Sequence, residues 1–343
     1  MVTPTIAGIG IALPAASSQD ALWHGYFHRH FNGSALAKRI FANAGVDQRH
    51  TVLNPIGEDF SGESTGTRMR RYAAEVVPLG KSAVIAALAD AGVEAGAIGL
   101  LAVATCTGYT TPGLDILLAR DLDLDPGLRR LMIGHMGCYA ALPGLASVAD
   151  YVAASGRPAV LLCAELPSVH VQPPTTEVDQ IVSHALFSDG AAAVVVTPGG
   201  RGYAVEGFAA RTDPATADHM TWEVTDHGFR MGLSPKVPDV LELHIAPLVD
   251  ELLGAHGLGR SDVDGWALHP GGPGILAAAA KGLGLPSSAL DVSRAVLRAH
   301  GNCSSVTVLL VLEALRSAGA STVLAAAFGP GLTLYGGLLR KVG

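Results

Sequence analysis

Two stretches of this chain replay one another. A short, wholly apolar run opens at Gly99 and another at Gly265, 166 residues later, while Cys138 and Cys303 stand 165 apart. The elements around these points follow one order. In the first half an apolar strand, Thr5–Leu13, stops at Pro14. Helical spacing runs through Val77–Asp90, and Gly99–Thr105 is a strand apolar on both faces, of the kind buried in a parallel sheet. The polar loop CTGYTTPG follows, then a helix from Leu114 to Arg120, and strands at Pro158–Ala164 and Phe187–Val196. The second half repeats this with a strand at Ala204–Ala210, a helix at Pro238–Leu253 and a strand at Gly265–Leu268. An apolar helix over Asn302–Arg316 and strands at Ser321–Ala327 and Gly331–Leu339 complete it. Repeated βαβ units predict a duplicated α/β fold whose pseudo-twofold axis brings equivalent loops together. The halves are 1–200 and 201–343. Residues 17–75 and 166–186 read as more polar and less regular.

The chemistry concentrates where the repeats meet. In Leu131–Ala154, apolar residues and a Gly-rich turn lead to Cys138, followed by a buried helix marked by Leu142, Leu145, Val148 and Val152. A thiol at a helix's first turn faces unpaired N–H groups and a positive dipole, which favour the thiolate. The plain alternative is an inert buried thiol. His269 follows the strand GWAL and precedes PGGPG, and Asn302 lies in GNCSS at the equivalent helix start of the second half. His269 as an imidazolium would support a thiolate, and with the Asn302 amide it could hold a developing oxyanion or enolate. Each alone also reads as a loop histidine or a helix cap.

Composition excludes several other classes. With 49% hydrophobic residues, 15% charged and a net charge of −7, the chain has a large core and no footprint for nucleic acid or an anionic membrane. Arg68, Arg70 and Arg71 form a local basic cluster, either a solvated face or an anion site. Apolar runs such as Val306–Leu312 are too short to span a bilayer, and no basic leader precedes the first strand. Four widely spaced cysteines form no CxxC pair, so neither zinc nor a disulfide framework is expected, and the protein reads as cytoplasmic and reduced.

The segments GCYAALPGLASVADYVAASGRPAVLLCAE, HALFSDGAAAVV, HPGGPGIL, GNCSSVTVLLVLE and AFGPGLT together resemble the type III polyketide synthases, the chalcone-synthase-like branch of the thiolase superfamily. The resemblance implies a homodimeric enzyme with a duplicated, five-layered αβαβα thiolase-like fold. It would condense malonyl-CoA iteratively and decarboxylatively onto an acyl-CoA starter, malonyl-CoA itself included, and close an aromatic or pyrone ring without metal or organic cofactor. It implies Cys138 as nucleophile, and His269 and Asn302 as the decarboxylating pair. Phe187 matches one gate of the cavity. Met231 falls on the second gate, where Phe is usual. Cys106, His170, Trp222 and Ser304 match cavity positions, and Thr111 matches the residue that reaches a partner's cavity. The Trp and His there suggest a narrow cavity with a small starter. Arg39, with Gly271 and Gly272, would serve CoA, although Asn43 stands where a lysine is usual. A ketoacyl synthase III-like enzyme making one condensation, a Cys-dependent thioesterase and a non-catalytic acyl-CoA-binding protein are the alternatives.

Overall fold

Strands apolar on both faces need helices above and below them, and the layering follows from that requirement. A computed structural model describes residues 2–343. Its strands are β1 (Pro4–Ala12), β2 (Ala16–Ser18), β3 (Gln48–His50), β4 (Leu100–Ala104), β5 (Arg129–Ile133), β6 (Ala159–Glu165), β7 (Gly190–Pro198), β8 (Gly202–Thr212), β9 (Met220–Thr225), β10 (Gly228–Leu233), β11 (Gly265–Leu268), β12 (Thr322–Gly329) and β13 (Thr333–Val342). The helices are α1 (Gln19–Leu22), α2 (His28–His30), α3 (Ala35–Ala42), α4 (Thr65–Ala91), α5 (Leu114–Asp121), α6 (Ala141–Ser155), α7 (Val178–Leu186), α8 (Val237–Ala255), α9 (Pro273–Leu283), α10 (Asp291–His300) and α11 (Val306–Ala318).

The main sheet runs β11-β12-β13-β8-β1-β7-β6-β4-β5. Read outward from the β1–β8 seam, the two sides match. On one side β1, β7 and β6 are antiparallel neighbours and β4 joins β6 in parallel. On the other, β8, β13 and β12 are antiparallel and β11 joins β12 in parallel. Only β5, parallel to β4 at the outer edge, has no counterpart in the second half. The seam itself is two residues deep, Thr5 and Ile6 against Ala204 and Tyr203.

Alternate residues of each strand then enter different layers. Ala102, Leu161 and Val194 of one side and Ala267, Ala325 and Leu339 of the other share a core with α6 and α11, which therefore lie between the two halves of the sheet. Their neighbours Leu101, Leu162 and Val195 face α4 and α5, while Trp266, Leu324 and Leu338 face α8 and α9. Five layers result, helices outside, the two halves of the sheet, and a buried helix pair at the centre. Gly8 and Gly10 of β1 allow the tightest contact. A Cβ on either would lie 2.4 or 2.2 Å from the carbonyl oxygens of Ala87 and Ala83 in α4.

Four sequence expectations change here. The helix expected from Val77 begins at Thr65, capped by the Ser64 hydroxyl, which accepts from the Thr67 N–H. Its first turns are crowded with Arg68, Arg70, Arg71 and Glu75, which hide the apolar stripe through Tyr72 and Val76. At 27 residues this helix is long and apolar enough to cross a membrane by length and composition, contrary to the expectation from the shorter runs. Here Val76, Ala83, Val84 and Ala87 lie buried against the sheet. The stretch 17–75 also holds α1 to α3, and the supposedly irregular 166–186 holds a helical turn at Pro167–His170 and α7. Arg68 is neither solvated nor poised for an anion. Fully buried, it donates to the carbonyls of Glu63, Val169, Phe60 and Ser61 at 2.6–2.9 Å.

Candidate active site

Cys138 is placed by the exit from β5. The chain turns through Gly137 (φ +68°) into a single helical turn, Gly137–Tyr139, and α6 starts only at Ala141. The thiol thus stands just ahead of the central helix, and at 8% exposure it is nearly closed off. The equivalent end of β12 packs beneath it. A Cβ on Gly137 would lie 3.0 Å from Pro330 Cδ, and one on Gly329 would lie 2.8 Å from the Tyr139 ring.

Asn302 is not at a helix start as expected, since α11 begins at Val306. It forms an isolated parallel bridge with Phe187: its N–H donates to the Leu186 carbonyl at 2.8 Å, and its carbonyl accepts from Ser188 N–H at 2.9 Å. The side chain is oriented by its acceptor end. Oδ1 takes the Ser304 N–H at 2.9 Å and the Thr307 hydroxyl at 3.4 Å, which turns Nδ2 toward the Gly271 carbonyl, 3.4 Å away. Ser304 itself holds φ +52°, a costly conformation for a residue with a side chain.

His269 follows β11 and is 1% exposed, edge-on to Phe328 with ring centroids 5.6 Å apart. Neither ring nitrogen has a hydrogen-bond partner. A Cβ on Gly271 would sit 3.6 Å from His269 Nε2, so the amide of Asn302 and the imidazole converge on one loop. Burial sets the protonation here. It pushes the His269 pKa down to about 3 and the Cys138 thiol up to about 12, with a hydrogen bond from Ser304 pulling the thiol back and Glu165 adding to the rise. Both shifts run against the charged forms, because burial in low-polarity surroundings penalises them.

Cys138 opens onto a cavity of about 870 Å³, which Cys106, Thr111, Phe187, Trp222, Met231 and Ser304 also line. Trp222 and Met231 are directly paired across the β9–β10 hairpin, so both point to the same side. His170, expected in the cavity, lies behind its wall. Its Nε2–H donates to the Thr107 carbonyl at 2.7 Å, Nδ1 accepts from Phe229 N–H at 2.9 Å, and burial lowers its pKa to about 3. The Trp222 indole N–H bonds the Cys106 carbonyl at 2.8 Å, so these two residues fix the 106–107 segment. Arg39 is exposed on α3, away from the cavity lining. Its helix ends beside the glycine loop, however: a Cβ on Gly45 would lie 3.0 Å from Pro273. Gly271 and Gly272 lie between His269 and that contact.

Glu165 was missed. It ends the apolar strand AVLLCAE, an unexpected place for a carboxylate and the one signal that could have found it. Fully buried, it accepts from Cys106 N–H at 3.0 Å, the Thr107 hydroxyl at 2.7 Å and the Ser305 hydroxyl at 2.8 Å. The Cys106 thiol also donates to it at 3.4 Å. Burial and Glu165 together raise the Cys106 pKa, and this thiol is a hydrogen-bonded wall of the cavity. Arg49 was likewise passed over. It is buried and donates to the carbonyls of His184 and Phe187, holding the 184–187 segment.

A buried thiol, orphaned imidazole nitrogens and an oriented amide at the meeting of two repeats fit a thiolase-fold condensing enzyme. The comparisons give the family. The model of the chalcone and stilbene synthase N-terminal domain matches residues 4–200, and that of the C-terminal domain matches 206–343. The chain therefore belongs to the chalcone and stilbene synthase family, the type III polyketide synthases, acyltransferases that condense malonyl-CoA units iteratively and cyclise the product. It is 33% identical to the alpha-pyrone synthesis polyketide synthase-like Pks18 of Mycobacterium tuberculosis, over 87% of this chain and 80% of that one. It is 36% identical to the 1,3,6,8-tetrahydroxynaphthalene synthase of Streptomyces peucetius, over 81% and 75%. The solved 1,3,6,8-tetrahydroxynaphthalene synthase of Streptomyces coelicolor superposes with a TM-score of 0.92 at 30% identity, covering 99% of each chain.

Proposed function

We propose that Cys138 takes an acyl group from its CoA thioester and carries the growing chain, while His269 and Asn302 hold the thioester oxygen of malonyl-CoA. The bond to the carboxylate then breaks and CO₂ leaves. The electron pair remains as an enolate, whose oxygen accepts from the Asn302 amide and from His269 in its Nε2–H form. The enolate carbon attacks the Cys138 thioester, a carbon–carbon bond forms and the thiolate is expelled. The extended chain returns to Cys138 by thioester exchange, releasing CoA, and the cycle repeats. The observation that carries this reading is the pair of unpartnered, buried His269 nitrogens beside the oriented Asn302 amide. Donors alone can hold an enolate, so we assign no cofactor. Arg39 is the candidate for the CoA phosphates, with Gly271 and Gly272 flanking the thioester arm.

The cavity supports an aliphatic starter larger than malonyl. Its volume lies in the upper part of the roughly 300–1,000 Å³ range of ligand pockets. Met69, Met132, Met220 and Met231, four of the six methionines in the chain, line it, and Met accommodates varied apolar shapes. The narrow cavity anticipated from Trp222 and His170 is not what their side chains produce, since His170 lies behind the wall. Closure to a pyrone or an aromatic ring follows the activities stated in the names of the relatives. A homodimer is supported by the exposed edge strand β5 and the exposed Tyr109–Thr111 loop at the cavity mouth, and we place the protein in the cytoplasm.

The test is a product assay with labelled malonyl-CoA, without carrier protein, and with malonyl-, hexanoyl- and decanoyl-CoA as starters. Products holding two or more malonyl-derived units, formed faster from the aliphatic starters and absent with Cys138→Ala, are expected. Single condensation, or dependence on a carrier protein, would contradict the iterative reading. Product from malonyl-CoA alone would contradict only the starter.

A further inference from the structure

Two histidines far apart in sequence meet beside the Asn302 turn. His50 Nε2 and His300 Nδ1 are 3.1 Å apart, and the rings stack with centroids 5.2 Å apart and planes 29° from parallel. Their partners fix the hydrogens. His50 Nδ1 lies 2.8 Å from the Pro14 carbonyl, which only accepts, so Nδ1 carries a hydrogen and Nε2 is the atom turned to His300 as acceptor. The His300 Nδ1–H is therefore the donor between the rings. Burial and the neighbouring His50 both lower the His300 pKa.

The pair closes a junction of three segments. The His50 N–H donates to Ser188 Oγ at 2.7 Å, and its carbonyl accepts from Asp189 N–H at 2.7 Å, joining β3 to residues 188–189. Asn302 bonds the same segment through Leu186 and Ser188. Between His300 and Asn302 stands only Gly301, at φ +68°, where a Cβ would lie 3.0 Å from the Leu186 oxygen. The turn is thus held to the gate segment by backbone bonds on one side and to β3 by the imidazole bond on the other. Neither histidine lines the cavity.

We propose that the His50–His300 pair is a clasp that positions Asn302 for malonyl-CoA decarboxylation, a role that rests on the function assigned to Asn302 above. Without the bond, the end of α10 is free to shift against β3, and the Asn302 amide moves with it. Displacements well under 1 Å are enough to slow an oriented reaction by about tenfold.

The test separates the two half-reactions. His300→Phe keeps the stacked ring and removes the donor, and His300→Asn restores an amide N–H near the position of Nδ1. Release of CO₂ from malonyl-CoA and acylation of Cys138 by hexanoyl-CoA, followed by intact mass, are measured on each variant alongside thermal unfolding. The expected result is a decarboxylation kcat lowered about tenfold in His300→Phe, with KM nearly unchanged and Cys138 acylation at the wild-type rate. His300→Asn should recover most of the loss. Unchanged decarboxylation in folded His300→Phe would overturn the clasp, as would a parallel fall of both reactions that His300→Asn does not rescue. Wild-type protein that acylates Cys138 but releases no CO₂ would overturn the assignment of Asn302 itself, and the clasp with it. Should His300→Phe fail to fold, His50→Leu against His50→Gln asks the same question from the acceptor side, with the same outcomes.

Discussion

Asn302 shows how a single side chain acquires a direction. Its carbonyl end is occupied by Ser304 and Thr307 and one amide hydrogen meets the Gly271 carbonyl, so the other amide hydrogen is left for a ligand. Replacing it with Ala should lower the decarboxylation kcat by about 10²–10³-fold, the usual cost of one oxyanion donor, with little change in Cys138 acylation. Steady-state release of CO₂ measures the first, and an equal loss in both steps would contradict the division of labour. Cys138→Ala should show the converse, decarboxylation without chain growth. The sequence was informative here because Cys, His and Asn each sit at a break between regular elements of a repeat. It carried no information on burial, which penalises the charged forms of both His269 and Cys138.

At the level of elements, the buried polar groups carry the tests. Arg68 joins the first turn of α4 to the loop before it and to the Pro167–His170 turn. Arg68→Met leaves four carbonyls without their donor and should cost about 3 kcal/mol, read as a lower denaturant midpoint. A loss under about 0.5 kcal/mol would mean that water or neighbouring groups already satisfy them. Asp189 gives a pH-dependent case. Burial raises its pKa from 3.8 to about 6, against the pull of Ser168, the Val52 N–H and Arg49. A carboxyl raised on folding contributes most stability below its unfolded pKa and loses it as pH climbs through the folded value. Relative to Asp189→Asn, the wild type should therefore lose about 2 kcal/mol of unfolding free energy between pH 4 and pH 7. A difference independent of pH would contradict this. Such groups were invisible to pattern reading for one reason. Arg68, Glu165 and Asp189 look like surface residues by type, and only their partners, 20 to 140 positions away in several cases, make burial tolerable. The long strands and central helices were legible because their apolar runs need no partner to be recognised.

Across the whole molecule, the repeat was readable at the spacing of Gly99 and Gly265 and is realised as matching strand orders about the β1–β8 seam. The missing counterpart of β5 was not readable, since an absent strand leaves no motif. That asymmetry leaves β5 as an edge with Leu131 and Met132 exposed, next to the cavity that Met132 helps to line. Open strand edges with apolar side chains invite pairing. Light scattering should give twice the 35.0 kDa of the chain, and Met132→Lys should shift it toward the monomer; a monomeric wild type would contradict the dimer. The identity of the acyl carrier is the property on which the proposed chemistry depends most directly. Intact-mass measurement after brief exposure to hexanoyl-CoA, followed by peptide mapping, should find one acyl group, on the peptide holding Cys138 and none on that holding Cys106. An adduct on Cys106, or no adduct on a folded protein across the starter panel, would contradict it.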